Sequence, residues 1–238
     1  PDGDGWLNFA PSDELMRVQC TFFNGLRWND FGAGTHATDY DVYVYDSDGW
    51  LIGQSTNSQA AGAPPLELAG TTCSGGQYVY LLVVLTAAGD GTAGDVLEFM
   101  TNSGALEYWQ NRYSASGPAA DTASAGAVTV GAIDPPNGTT IGSYSARGPT
   151  NDDRTKPDLV TASCVVNHSV TPCFAGTSAA TPAAAGAAAL VRGAGFATTP
   201  ASIRSWLLAH AMVDRGNAGT DNNYGHGELI LPPPPQPR

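Results

Sequence analysis

Phe174-Ala-Gly-Thr-Ser-Ala-Ala-Thr-Pro-Ala-Ala-Ala-Gly-Ala-Ala-Ala-Leu-Val191 is the stretch on which the reading of this chain turns. Eight alanines stand between Ser178 and Leu190, with Gly186 among them. Alanine is the strongest helix former, and small side chains let neighbouring backbone pack closely, so the run predicts a buried helix. Pro182 lies four residues after Ser178, where its missing N–H would have bonded the Ser178 carbonyl. The helix tolerates that proline only if Ser178 belongs to its first turn. A hydroxyl is thereby placed among free backbone N–H groups at the positive end of the helix dipole, which suits a nucleophile attacking a carbonyl. Composition alone favours the plainer role of Thr177 or Ser178 as an N-cap.

The exact string goes further. Gly176-Thr-Ser-Ala-Ala-Thr-Pro-Ala-Ala-Ala-Gly186 resembles the nucleophile motif of the subtilisin family, Gly-Thr-Ser-x-Ala/Ser-x-Pro-His-Val-Ala-Gly. It departs from that motif at Ala183 and Ala184, where the family usually has His-Val, a difference of packing that leaves the serine untouched. Ala127-Val-Thr-Val-Gly-Ala-Ile-Asp134, Ser143-Tyr-Ser-Ala-Arg-Gly-Pro-Thr150, Arg154-Thr-Lys-Pro-Asp-Leu-Val160 and Asn223-Tyr-Gly-His-Gly-Glu228 follow the family in its own order. The likeness covers residues 118 to 231. It implies an α/β fold with Ser178 as nucleophile, and it makes Ser145 to Pro149 a rim beside the substrate cleft.

With 238 residues the chain can hold two modest domains, each with its own core. Ten Lys and Arg face 22 Asp and Glu, a net charge of −12, and Lys156 is the one lysine. That balance argues against a nucleic-acid partner, because phosphate binding needs basic patches. No apolar run reaches 18 residues, so no membrane span is predicted. Low charge, abundant small residues and a start at Pro1 without Met or leader read as a processed, extracellular product. In that setting Cys20 with Cys73 and Cys164 with Cys173 are expected as disulfides, paired within each half; four cysteines allow three pairings, and buried thiols are the alternative.

Residues 1–101 read as strands between turns. The segments 16–23, 25–28, 39–46, 77–85 and 95–100 are rich in aromatic and β-branched residues. Alternation is clearest from Asp39 to Asp46, with Tyr40, Val42 and Val44 on one face and Asp39, Asp41, Tyr43 and Tyr45 on the other. Asn24-Gly25 and Asp46-Ser-Asp-Gly49 read as chain reversals. The expected fold is a jelly-roll-like β-sandwich, similar to accessory domains inserted in large exported subtilisin-like proteins, followed by a partial α/β subtilisin-like domain at 102–231. The proline-rich tail, 232–238, should be polyproline II. No cofactor is called for. Asp39, Asp41, Asp46 and Asp48 could cluster around Ca²⁺, although strand and turn roles account for them as well.

Family resemblance also fixes what this stretch of sequence does not carry. Subtilisin-like catalysis needs Asp, His and Ser in that order, plus an oxyanion Asn. Gly34-Thr-His36 echoes the catalytic-histidine motif, but His36 runs straight into the alternating strand rather than opening a helix. Asn102, in Thr101-Asn-Ser-Gly104, is a substitute candidate for the oxyanion donor. His168 and His226 do not match the family's base, and His210 sits on the packing face of a second helix with Ile203, Trp206 and Leu207. A serine without its base loses on the order of 10⁶ in rate. The expectation is therefore the Ser-bearing part of a serine endopeptidase, inert alone, whose partner is an N-terminal fragment and whose substrate is a peptide. Two other readings stand beside it: an extracellular structural protein that associates with copies of itself, and carbohydrate binding through Trp6, Trp28 and Trp50.

Overall fold

The computed structural model describes residues 3–19, 23–29, 38–59, 63–70, 77–89, 94–101, 106–108, 122–134, 138–166 and 168–233. Two compact units divide at Gln110 and Asn111. Residues 106–108 stay with the first unit, beyond the composition shift at 101, because Val18 bridges Leu106, Glu107 N–H donates to the Arg17 carbonyl at 3.0 Å, and Tyr108 donates to Asp13 at 2.7 Å.

The first unit holds β1 (Leu15–Gln19), β2 (Phe23–Arg27), β3 (Thr38–Tyr45), β4 (Leu51–Ser55), β5 (Leu66–Glu67), β6 (Tyr78–Ala88) and β7 (Glu98–Thr101). They form two antiparallel sheets, ordered β1-β6-β3-β4 and β5-β2-β7. Alternation along each strand sends one face inward: Met16 and Val18, Val42 and Val44, and Val79, Leu81 and Val83 share one core with Leu26 and Trp28 of the smaller sheet's side. Tyr40 meets Trp28 edge-on, with ring centroids 5.1 Å apart. Burial along β3 follows the predicted period of two, except that Asp39 is also buried.

Asp46-Ser-Asp-Gly49 does reverse the chain, with Gly49 N–H donating to the Asp46 carbonyl at 3.1 Å between β3 and β4. Asn24-Gly25 does not: it lies inside β2, at a bulge where the register with β7 shifts. Glycine is required there because φ is +154° and a Cβ would sit 2.1 Å from the Glu67 carbonyl oxygen. The signal mistaken for a turn is that of a backbone-to-backbone approach.

The second unit holds β8 (Val130–Asp134), β9 (Thr140–Ile141), β10 (Leu159–Ala162), α1 (Thr177–Gly193), α2 (Pro200–His210), β11 (Met212–Val213) and β12 (Glu228–Leu229). Its sheet runs β11-β12-β10-β8-β9, with β8, β10 and β12 parallel and the outer strands antiparallel. α1 packs on β8 and β10 and against α2; it buries Ala179, Ala180, Ala184, Ala187 and Val191, of which Ala187 and Val191 share a core with Leu207 of α2. Thr161 of β10 donates to the Ala180 carbonyl at 2.9 Å, which fixes the first turn of α1 against the sheet. Thr199 and Ser202 cap α2 reciprocally, and Pro200 occupies its first turn. Among the described residues, no helix is long and apolar enough to cross a membrane.

Candidate active site

Ser178 is the second residue of α1, where Pro182 required it to be. Neither Thr177 nor Ser178 caps the helix. Gly176 does, at φ +98° and ψ 173°, a backbone conformation that suits glycine, and no side chain supplies a cap bond. The Gly176 carbonyl takes the N–H groups of Ala179 at 2.9 Å and Ala180 at 3.2 Å. The Ser178 hydroxyl is thus left exposed, with no hydrogen-bond partner among the described residues. Proline at 182 also frees the Ser178 carbonyl from the helical ladder.

Two devices hold the turn that presents this hydroxyl. A disulfide joins Cys164 to Cys173, with Cα atoms 5.3 Å apart, while Val165 and Phe174 pair through backbone bonds of 2.8 and 2.9 Å. The segment preceding Gly176 is thereby closed into a short clamped loop. Tyr144 supplies the second device. Its hydroxyl donates to Asp134 at the end of β8, accepts from Ser163 at 2.7 Å just after β10, and receives the Gly176 N–H. Burial, then the hydrogen bond to Asp134, pushes this phenol above its ordinary range. One hydroxyl therefore ties two strand ends to the cap of α1.

At the start of β10, Asp158 is 4% exposed and Lys156 5%. The Asp158 carboxylate accepts from Thr129 N–H at 2.7 Å, Lys156 Nζ at 3.0 Å and Arg204 Nη2 at 2.7 Å. Burial raises its pKa, but the Thr129 N–H, then Arg204 and Lys156, outweigh burial and hold the carboxyl below its ordinary value. This single lysine of the chain is structural: with Thr129 Oγ1 as a further partner at 3.2 Å, it anchors the start of β10. Gly225 packs against the same segment, because a Cβ at that position would lie 2.2 Å from the Pro157 carbonyl oxygen.

No imidazole reaches Ser178 among the described residues. His168 is exposed in the clamped loop, His226 lies 3.3 Å from Thr220 Oγ1, and His210 bonds the Trp206 carbonyl at 3.0 Å while stacking on the Trp206 ring at 5.0 Å. His36, Asn102, Cys20 and Cys73 lie outside the described residues. Of the carboxylates weighed for calcium, Asp41 accepts from Tyr43 and Asp46 organises the β3–β4 turn, while Asp39 is buried with its Oδ1 lacking a partner among the described residues. The described residues contain no group of His, Cys, Asp or Glu that could hold a metal ion. Trp28 is buried at 1% exposure, Trp50 is 72% exposed, and Trp6 lines a cleft. Sequence reading missed Tyr144, which stands just ahead of the Ser145–Pro149 segment taken as a rim.

The solved structure of the Clostridium perfringens CspB protease is similar to this chain, with a TM-score of 0.57 and 16% identity over 92% of this chain and 52% of that one. At that identity the likeness is one of fold, and the chain spans about half the length of that protein. The subtilase family model matches residues 45–227, reaching from the end of β3 through α1 to the glycine before β12. This chain belongs to the subtilase family.

Proposed function

We propose that this chain is the nucleophile-bearing C-terminal part of an extracellular subtilisin-like serine endopeptidase, with Ser178 as nucleophile. The observation that carries the proposal is the exposed Ser178 hydroxyl in the first turn of α1, set beside a glycine cap, with no hydrogen-bond partner and no imidazole in reach among the described residues. The histidine base, its orienting aspartate and the oxyanion donor come from polypeptide outside these residues, and until they are in place the serine is inert.

α1 itself supports a missing covering layer. From Thr177 to Val191 the helix carries no charge, yet Thr181, Pro182, Ala183, Ala185, Gly186, Ala189 and Leu190 are exposed, Leu190 at 66%. An apolar helix of this kind belongs in an interior. The N-terminal half of the peptidase fold is the layer we assign to it, in keeping with a fold neighbour about twice as long. Residues 1–101 are then an accessory β-sandwich inserted in the peptidase domain, consistent with a family match that begins inside them. The Cys164–Cys173 bridge suits an oxidising, extracellular setting.

A fluorophosphonate probe tests the proposal. Full-length native protein should label at Ser178 and hydrolyse a peptide, and Ser178→Ala should lose both without change in thermal stability. The isolated 238-residue chain should not label. Labelling of the isolated chain at the native rate, or its absence in the full-length protein, overturns the proposal.

A further inference from the structure

The outer face of the β1-β6-β3-β4 sheet carries a cleft of about 410 Å³ that owes nothing to Ser178. Antiparallel register builds it: Tyr45 stands opposite Tyr80, Leu15 opposite Leu82, and Trp6 extends the β1 edge by bridging Val84. Three aromatic rings, Trp6, Tyr45 and Tyr80, line the cleft with two carboxylates, Glu14 and Asp46. No lysine or arginine is among the described residues that line it. Asp46 is held ready, since its Oδ1 accepts from Asp48 N–H at 3.0 Å and Trp50 N–H at 2.8 Å, while Oδ2 has no partner among the described residues.

We propose that this cleft binds a cationic side chain, specifically an arginine of a basic peptide or protein partner. Electron-rich ring faces beside a fixed carboxylate are complementary to a planar, weakly hydrated guanidinium, and Arg stacks on aromatic rings better than Lys does. The protein makes the same contact for itself on this face: Arg17 lies 4.9 Å from the centroid of the Tyr78 ring, one row along the sheet from Tyr80. A net charge of −12 steers basic partners toward the molecule and repels a second copy of the chain. A neutral sugar would use the rings but would have no need of paired carboxylates.

The experiment is an NMR titration of the 238-residue chain with acetyl-Gly-Arg-Gly-amide, beside the same peptide carrying uncharged, isosteric citrulline. The arginine peptide should shift the Trp6, Tyr45 and Tyr80 ring resonances saturably, and citrulline should bind at least about tenfold more weakly. Asp46→Asn keeps the acceptor for the turn and Trp6→Ala removes an exposed ring; each should weaken binding about fivefold or more, with unchanged backbone spectra elsewhere. Raising salt should weaken binding further. Equal binding of the two peptides, or no shift of the three rings at saturating peptide, overturns the proposal. So does a neutral oligosaccharide that moves those rings where arginine does not.

Discussion

Replacing Asp158 by alanine tests whether the cluster joining the start of β10 to α2 holds the second unit together. The carboxylate is 4% exposed and accepts three donors within 3.0 Å, so its removal strands Lys156 Nζ, buried at 5% exposure, and orphans the Thr129 N–H. Breaking a buried ion pair from one side costs about 3–5 kcal/mol, most of it the desolvation of the charge left behind. The unsatisfied backbone donor overlaps with that cost rather than adding fully to it, since both groups share one site. We expect Asp158→Ala to destabilise by about 4 kcal/mol. Lys156→Met in the Asp158→Ala background removes the stranded ammonium and should recover about half of the loss. Circular dichroism at 222 nm during urea unfolding is the assay, because α1 and α2 both lie in the second unit. A loss below about 1 kcal/mol, or a lysine replacement that deepens it, would refute the reasoning.

Acid titration reads the same carboxylate. The folded pKa of Asp158 lies below its ordinary value of 3.8, so its stabilisation is present above that pH and lost as pH falls through the folded value; Asp158→Asn should flatten acid unfolding of the helical signal there. Tyr144→Phe removes the hydroxyl that joins Asp134, Ser163 and Gly176, and should cost about 1–2 kcal/mol and slow phosphonate labelling of Ser178 in full-length protein. Unchanged labelling would show that the cap is set by the disulfide loop alone. Gly225→Ala drives a Cβ to 2.2 Å from the Pro157 carbonyl oxygen at φ +61°, and a loss of about 3 kcal/mol or more in urea unfolding is expected. Normal stability of that variant would mean the loop moves aside freely.

The helix and its serine were legible in the chain because they rest on local rules. Alanine content and Pro182 constrain backbone within a few residues, and the structure places Ser178 in the first turn as those rules require. The strand at 39–46 was legible from its period of two in apolar residues, and that at 77–85 from its run of aromatic and β-branched residues, both local signals. Short strands such as β5, β9, β11 and β12, each of two residues, carry no period to read. Asn24-Gly25 misled because a glycine needed for close approach of two strands looks the same in sequence as one needed for a turn.

Sequence by itself determined the family, the position of the candidate nucleophile and the acidic, charge-poor surface, because motif spacing and composition are properties of the chain alone. Only the tertiary structure decided that the capping residue is Gly176, that Tyr144 links two strand ends to it, and that Lys156 and Arg204 converge on Asp158. Asp158 and Arg204 stand 46 residues apart, and their pairing exists only because β10 and α2 pack in one unit. The cleft of Trp6, Tyr45 and Tyr80 likewise arises from register between strands that are distant in the chain, which no local pattern encodes.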